Sequence, residues 1–310
     1  MMKSNRITQL DILKGIGIIF VMFGHAIPPN TFFYSLIYGF HMPLFFMCSG
    51  YFYKDVSIWQ GLKKDFKGLL VPWFTFVLFL CLSALIINWM SSNKFAPDFN
   101  LLDEHCWLLY YTIWFLVCLF IVRQIYRVLF KLNQWFTVSC AWGGYFIAYY
   151  LKQYNINIPF FVDSAMAMLI FFHVGYLFKK HSLHEKQPIW VSITLLLIYA
   201  IFVWSVHPYV NIKDNVFPLY LVALSVVPTY ALYQLCCRIN SKILILCGIE
   251  SLSIMGFHHP IYDTIMYPLM SRLSLPLVGK CFFMVLFTLV IVLVLNRIIS
   301  KYTPFLLGKF

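Results

Sequence analysis

Apolar residues run through this chain in long blocks, each about as long as a membrane is thick. Short polar stretches carrying most of the charge separate them. A helix needs ~17 to 25 residues to cross the hydrocarbon core. Ten stretches qualify: 12–28, 31–53, 68–90, 107–130, 134–151, 158–178, 188–207, 216–236, 248–268 and 278–299. The pattern predicts an all-α polytopic membrane protein: a bundle of about ten transmembrane helices forming a single domain over 1–310, with no separate soluble domain. Pro28, Pro29 and Asn30 force a tight turn after helix one, because paired prolines cannot continue a helix. Helices joined by so short a turn pack antiparallel. Helix two carries Pro43 as a predicted kink, and Lys54 to Lys67 reads as a cytoplasmic loop. The stretch from Asn88 to Cys106, with Asp98, Asp103 and Glu104, is the longest outer connection and reads as a solvated loop or the rim of an acceptor site. No repeat of fixed period appears, and no inverted repeat of the transporter kind.

Composition agrees with the pattern. The chain is 62% hydrophobic, 20% aromatic and 11% charged, where a soluble domain carries about 25% charged residues. A net charge of +12 suits nucleic acid in principle, but the placement of the cations excludes it. Eighteen of the 23 Lys and Arg fall on the side of the N-terminus, leaving Lys94, Lys152, Lys213, Arg272 and Lys280 on the other. By the positive-inside rule both termini are cytoplasmic, and the partner of the basic face is the anionic lipid bilayer. The nine cysteines include no pair at the two-residue spacing of a zinc or redox motif, and only Cys106 falls clearly outside. Packing cysteines fit better than a disulfide framework. The first span lacks a small-residue cleavage site and reads as a retained helix.

Ionisable residues inside apolar spans mark function, because burying them in hydrocarbon is expensive. Lys14 and His25 stand eleven residues apart in LDILKGIGIIFVMFGHA. At about 100° and 1.5 Å per residue they share one helix face, about 16 Å apart along the axis. Helix two adds His41 and, near its inner end, Ser49. The loop lysines Lys63, Lys64 and Lys67 read either as ordinary positive-inside bias or as an anion site at a cavity mouth. Trp114 lies in the outer half of helix four, as aromatic-belt residues do. Asp163 and His173 share a face of helix six. The ninth span, CGIESLSIMGFHHPIYD, holds Glu250, Ser251 and His258 on an unusually polar helix, with His259 and Asp263 at bonding distance in sequence. Its histidines either line a site or satisfy carbonyls freed by Pro260. His25, His41 and His258 suit proton transfer near neutral pH. A metal site is the rival use of three histidines, but no carboxylate or cysteine stands at ligand spacing from His25. A cation at the cytoplasmic mouth with a deeper imidazole matches a phosphate-headed carrier with a long arm, the shape of coenzyme A.

These motifs together resemble the membrane acyltransferase 3 family, in particular its branch similar to fucose 4-O-acetylases and the enterobacterial-common-antigen O-acetyltransferase. The resemblance covers essentially the whole chain, through LDILKGIGIIFVMFGHA, FHMPLFFMCSGYF, WFLVCLF and SLSIMGFHHPI. The family signature of an arginine, ten residues and a histidine maps onto Lys14 and His25. Lysine keeps the charge of arginine and loses its planar fork.

The resemblance implies transfer of an acyl group, usually acetyl, from cytoplasmic acetyl-CoA to a hydroxyl of a cell-surface or lipid-linked glycan, across a bacterial inner membrane and without a metal. His25 is then the catalytic histidine, as base or acyl carrier. Lys14, Lys63, Lys64, Lys67 and Ser49 stand on the donor side, and His41, Trp114, Glu250, Ser251 and His258 line the site. The alternative from another class is a proton-coupled secondary transporter or glycolipid exporter. A non-catalytic scaffold leaves the buried polar groups unexplained.

Overall fold

The structure is a computed structural model and describes residues 7–29, 31–90, 114–156, 158–181, 187–206 and 219–309. The outer loop with Asp98, Asp103, Glu104 and Cys106, the entry to helix four, and His207, Lys213 and Asp214 lie outside the described residues. Among the described residues every regular element is helical. In chain order the α-helices are α1 (Thr8–Ala26), α2 (Phe32–Tyr38), α3 (His41–Tyr51), α4 (Ile58–Asp65), α5 (Val71–Met90), α6 (Trp114–Leu132), α7 (Gln134–Gln153) and α8 (Val162–Lys180). They continue as α9 (Ile189–Val206), α10 (Leu219–Cys236), α11 (Lys242–Ile249), α12 (Ser251–Ile261), α13 (Tyr267–Ser271) and α14 (Leu277–Tyr302).

Each predicted span overlaps a helical stretch. By length and apolarity, five stretches among the described residues are fit to cross a membrane: Thr8–Ala26, Phe32–Tyr51, Ile58–Ile86, Pro159–Lys180 and Leu277–Tyr302. Counting Lys242–Ile249 and Ser251–Ser271 as one broken span makes six. Helix α6 is too charged to qualify, since Arg123, Arg127 and Lys131 lie within it.

Three boundaries differ from the predicted ones. Helix two breaks at Gly39–Phe40, where Phe40 has φ −142° and ψ −19°, and not at Pro43. Pro43 lies in the first turn of α3, where a missing N–H costs little. The break survives because side chains bond the carbonyls that no longer serve a regular helix: Tyr199 donates to Leu36 at 2.7 Å, Ser225 to Gly39 at 2.6 Å, and His41 Nδ1 lies 2.9 Å from the Ile37 oxygen. The predicted loop from Lys54 to Lys67 is largely helix. Ser57 caps α4 by accepting from the Gln60 N–H, and a π-helical turn, Phe66–Leu70, carries the chain into α5. The ninth span is broken at Glu250, whose φ of −97° and ψ of 13° end α11 before α12 begins.

The chain divides into two compact units: Met1–Lys54, Val138–Asn155 and Met166–Ser251 form one, and Asp55–Thr137, Ile156–Ala165 and Leu252–Phe310 the other. In the first unit α1 is central, with 61% of its apolar window buried. Its tightest partner is α11. A Cβ on Gly15 would lie 2.1 Å from the Leu244 carbonyl oxygen, and one on Gly248 would lie 1.7 Å from that of Asp11. Two glycines thus let the backbones meet, as small residues do between membrane helices. Gly50 and Gly175 serve α3 and α8 in the same way, against the carbonyls of Phe172 and Met47. Leu13, Leu44, Tyr51, Tyr199 and Tyr233 belong to the apolar core beside them.

In the second unit, α4 is fixed to α6 by charge. Asp65 accepts from Arg123 Nε at 2.8 Å, Arg127 Nη2 at 2.6 Å and Gln124 Nε2 at 3.1 Å. The guanidinium of Arg127, 2% exposed, packs on Gly61. Phe76 of α5 meets Phe257 of α12 edge-on at 5.0 Å, over Gly256. Ser253 donates to Asn296 Oδ1 of α14 at 2.7 Å.

Candidate functional site

The first unit brings together the residues of helices one and two. Helix α1 is unbroken from Thr8 to Ala26, so Lys14 and His25 keep the shared face their spacing predicts. Lys14 Nζ lies 2.8 Å from Asp11 Oδ1, and 5.9 Å above the Phe52 ring. The pair sits in the first turns of the helix with Asp11 almost fully buried. A cation here is matched by its own carboxylate, so any anion that Lys14 serves competes with Asp11 or adds to the pair.

At the other end of α1, the half-buried His25 ring turns towards α2. Its Nδ1 lies 3.5 Å from the Tyr38 hydroxyl and the rings meet edge-on with centroids 6.2 Å apart. Tyr38 stacks on Tyr34 at 3.8 Å and meets the edge of His41 at 4.7 Å. His41 is buried, and its Nδ1 faces a carbonyl oxygen. A ring nitrogen in that position carries the proton, so His41 caps the broken helix and is the Nδ1–H tautomer. Ser49 is half-buried, one residue before the contact of Gly50 with α8.

Beside the first turns of α1 lies a small cavity, of about 20 Å³, lined by Leu10, Leu13, Cys48, Tyr51, Thr229 and Tyr233 among others. Its walls are apolar apart from two phenols, a thiol and a hydroxyl. Leu10 and Leu13 each immediately precede one member of the Asp11–Lys14 pair in sequence, so the cavity adjoins the donor end of the predicted site. Glu250, at the break after α11, and Ser251 are half-buried at the end of the same unit.

His173 is buried in the first unit and Asp163 in the second, and the other predicted residues belong to the second unit. Lys63, Lys64 and Lys67 are exposed on α4 and the π-helical turn. Lys63 lies over the Trp59 ring at 5.2 Å, and the buried charge of this region is Asp65 with its arginines. Trp114 is buried, near Phe161 at 5.9 Å. His258 is fully buried, with Nδ1 2.9 Å from the oxygens of both Ile254 and Met255. It therefore serves carbonyls of its own preceding turn and not that of Gly256, the one Pro260 frees. His259 Nδ1 lies 3.1 Å from Asp263 Oδ2, along the helix as the spacing predicts. Among the described residues, His, Cys, Asp and Glu nowhere gather in threes that could hold a metal ion.

Sequence reasoning missed Tyr38, the role of Asp11, and the Asp65 cluster. Asp11 had a signal, a carboxylate three residues before a lysine on one helix. Arg123 and Arg127 had a weaker one, two guanidiniums four residues apart inside an apolar helix.

The chain is similar to nodulation protein NolL of Sinorhizobium fredii (strain NBRC 101917 / NGR234), 26% identical over 226 residues, which are 66% of this chain and 56% of NolL. The match thus spans little more than half of that relative's length. No solved structure matches the chain significantly. The model of the acyltransferase domain family matches residues 7–297, from the residue before α1 almost to the end of α14. A match of that extent takes in the helices described above up to the last turns of α14, and the chain belongs to the membrane acyltransferase 3 family.

Proposed function

We propose that the protein is a membrane O-acyltransferase that moves an acetyl group from cytoplasmic acetyl-CoA to a hydroxyl of an extracytoplasmic or lipid-linked glycan in a bacterial inner membrane. The observation that carries this reading is the pairing on α1 of a cation at one end with a half-buried imidazole eleven residues on. Such a pair spans about the length of a carrier whose charged head stays at the surface while its thioester enters the bilayer.

In this reading His25 is a general base. The acceptor O–H bond breaks, the proton passes to the imidazole, and the oxygen bonds to the thioester carbon. The carbon–sulfur bond then breaks, and the departing thiolate of coenzyme A takes up that proton. Lys14, with Asp11 beside it, attracts the phosphates of the donor, joined by Ser49 of the same unit. His41 holds the helix break in shape. Family membership favours acyl transfer over the proton-coupled transporter.

The test is His25→Ala in a membrane preparation supplied with labelled acetyl-CoA. Label in the glycan fraction falls by at least a hundredfold, in line with the ~10² to 10⁴ that a positioned base contributes. Transfer at the wild-type rate overturns the mechanism.

A further inference from the structure

Tyr38 stands at the meeting point of α1, α2 and α3, where four separate features hold it. Its ring stacks on Tyr34 at 3.8 Å, with 18° between planes. Its flank lies against Gly24, where an added Cβ would approach Cε2 to 3.0 Å, so the residue next to His25 leaves room for the ring. Its edge meets His41. The backbone beneath it is pinned at Leu36, Ile37 and Gly39 by Tyr199, His41 and Ser225. A side chain fixed this firmly delivers its hydroxyl to one place, 3.5 Å from His25 Nδ1.

We propose that Tyr38 is a positioning residue for His25: its phenol oxygen accepts from the Nδ1–H and so selects the tautomer whose unprotonated nitrogen, Nε2, takes the acceptor's proton. This rests on the reading of His25 as the base. An imidazole has two nitrogens, and which one carries the proton is set by the hydrogen bond the other makes. A base needs the unprotonated nitrogen on the reacting side. Nε2 lies across the ring from the nitrogen that faces Tyr38. The 3.5 Å separation is long for a hydrogen bond, and catalytic contacts of this kind tighten when substrates bind. The phenol then steadies the imidazolium formed after proton transfer, without itself touching the reacting atoms. His41 contributes indirectly, by capping Ile37 one residue before Tyr38.

The experiment compares Tyr38→Phe with the wild-type chain in membranes, using labelled acetyl-CoA and the glycan fraction. Removing one oxygen while keeping the ring lowers kcat about tenfold and leaves KM for acetyl-CoA and the thermal midpoint unchanged. Wild-type kcat, or a loss confined to KM or stability, overturns the inference, even when His25→Ala is inactive. A second arm needs no turnover. In bilayers, ¹⁵N-histidine spectra of the wild-type chain, with the His25 signal assigned by its absence in His25→Ala, show a protonated Nδ1 and a bare Nε2. The opposite tautomer overturns the inference. Failure of label transfer by the wild-type chain sinks the acyltransferase reading, and the tautomer arm still decides the part played by Tyr38.

Discussion

Lys14 and Asp11, 2.8 Å apart on adjacent turns, make stability and donor binding separable by mutation. Lys14→Arg keeps the charge and retains most of the activity. Lys14→Ala removes it and raises KM for acetyl-CoA about tenfold, while leaving Asp11 buried without its cation, at a cost of about 1–3 kcal/mol. The double variant Asp11→Asn, Lys14→Ala recovers the thermal midpoint and not KM; recovery of both rules out a charge role in binding. His41→Ala removes one of the bonds to the Ile37 carbonyl, which keeps the Phe40 N–H, and lowers stability by about 0.5–1.5 kcal/mol, read as an earlier thermal transition in detergent. At this scale Lys14 and His25 were legible because a charge and an imidazole in an apolar run have few bland explanations. Tyr38 was not. Its meeting with His25 depends on a break at Gly39–Phe40, three residues before the proline that reads as the kink, and on Gly24, which reads as one more small residue in a helix.

Among the elements, the α1–α11 contact and the α4–α6 ion cluster respond differently to substitution. Gly15→Ala and Gly248→Ala each place a methyl well inside van der Waals distance of a backbone carbonyl, which no rotamer change relieves. The helices must separate, and a loss of about 1–3 kcal/mol is expected for each, with a joint effect well short of the sum because one separation accommodates both methyls. A thermal shift series on the two single variants and the double checks this. Asp65→Asn leaves the buried guanidinium of Arg127 without its carboxylate, a change worth about 3–5 kcal/mol. Lys64→Ala on the exposed face of the same helix leaves the thermal midpoint in place. Helix α4 was hidden in the sequence because its lysines dominate the stretch and pull the eye to a basic loop. The signal that would have found it is amphipathicity: Gly61 and Asp65, four residues apart, both turn inward.

For the molecule as a whole, the all-helical, membrane-spanning character was legible because hydrocarbon imposes its own length on a helix, and five or six of the ten apolar blocks are helices fit to cross a membrane among the described residues. What blocks of hydropathy hide is where a helix snaps. Glu250 and Phe40 mark breaks inside stretches whose average polarity scarcely changes, and two of the side chains that bond carbonyls at the Phe40 break, Tyr199 and Ser225, come from distant parts of the chain. Reporter fusions test the arrangement of the termini: green fluorescent protein after Phe310 fluoresces, and alkaline phosphatase inserted at Pro29 is active, if both ends face the cytosol. The opposite pattern inverts the topology. The glycine seam between α1 and α11 also bears on biogenesis. Helix α1 binds most closely to one made more than two hundred residues later. Until then its carboxylate, ammonium and notched flank lie in lipid or against an insertase, so nascent chains stopping before Lys242 become prey for membrane quality-control proteases instead of smaller working enzymes.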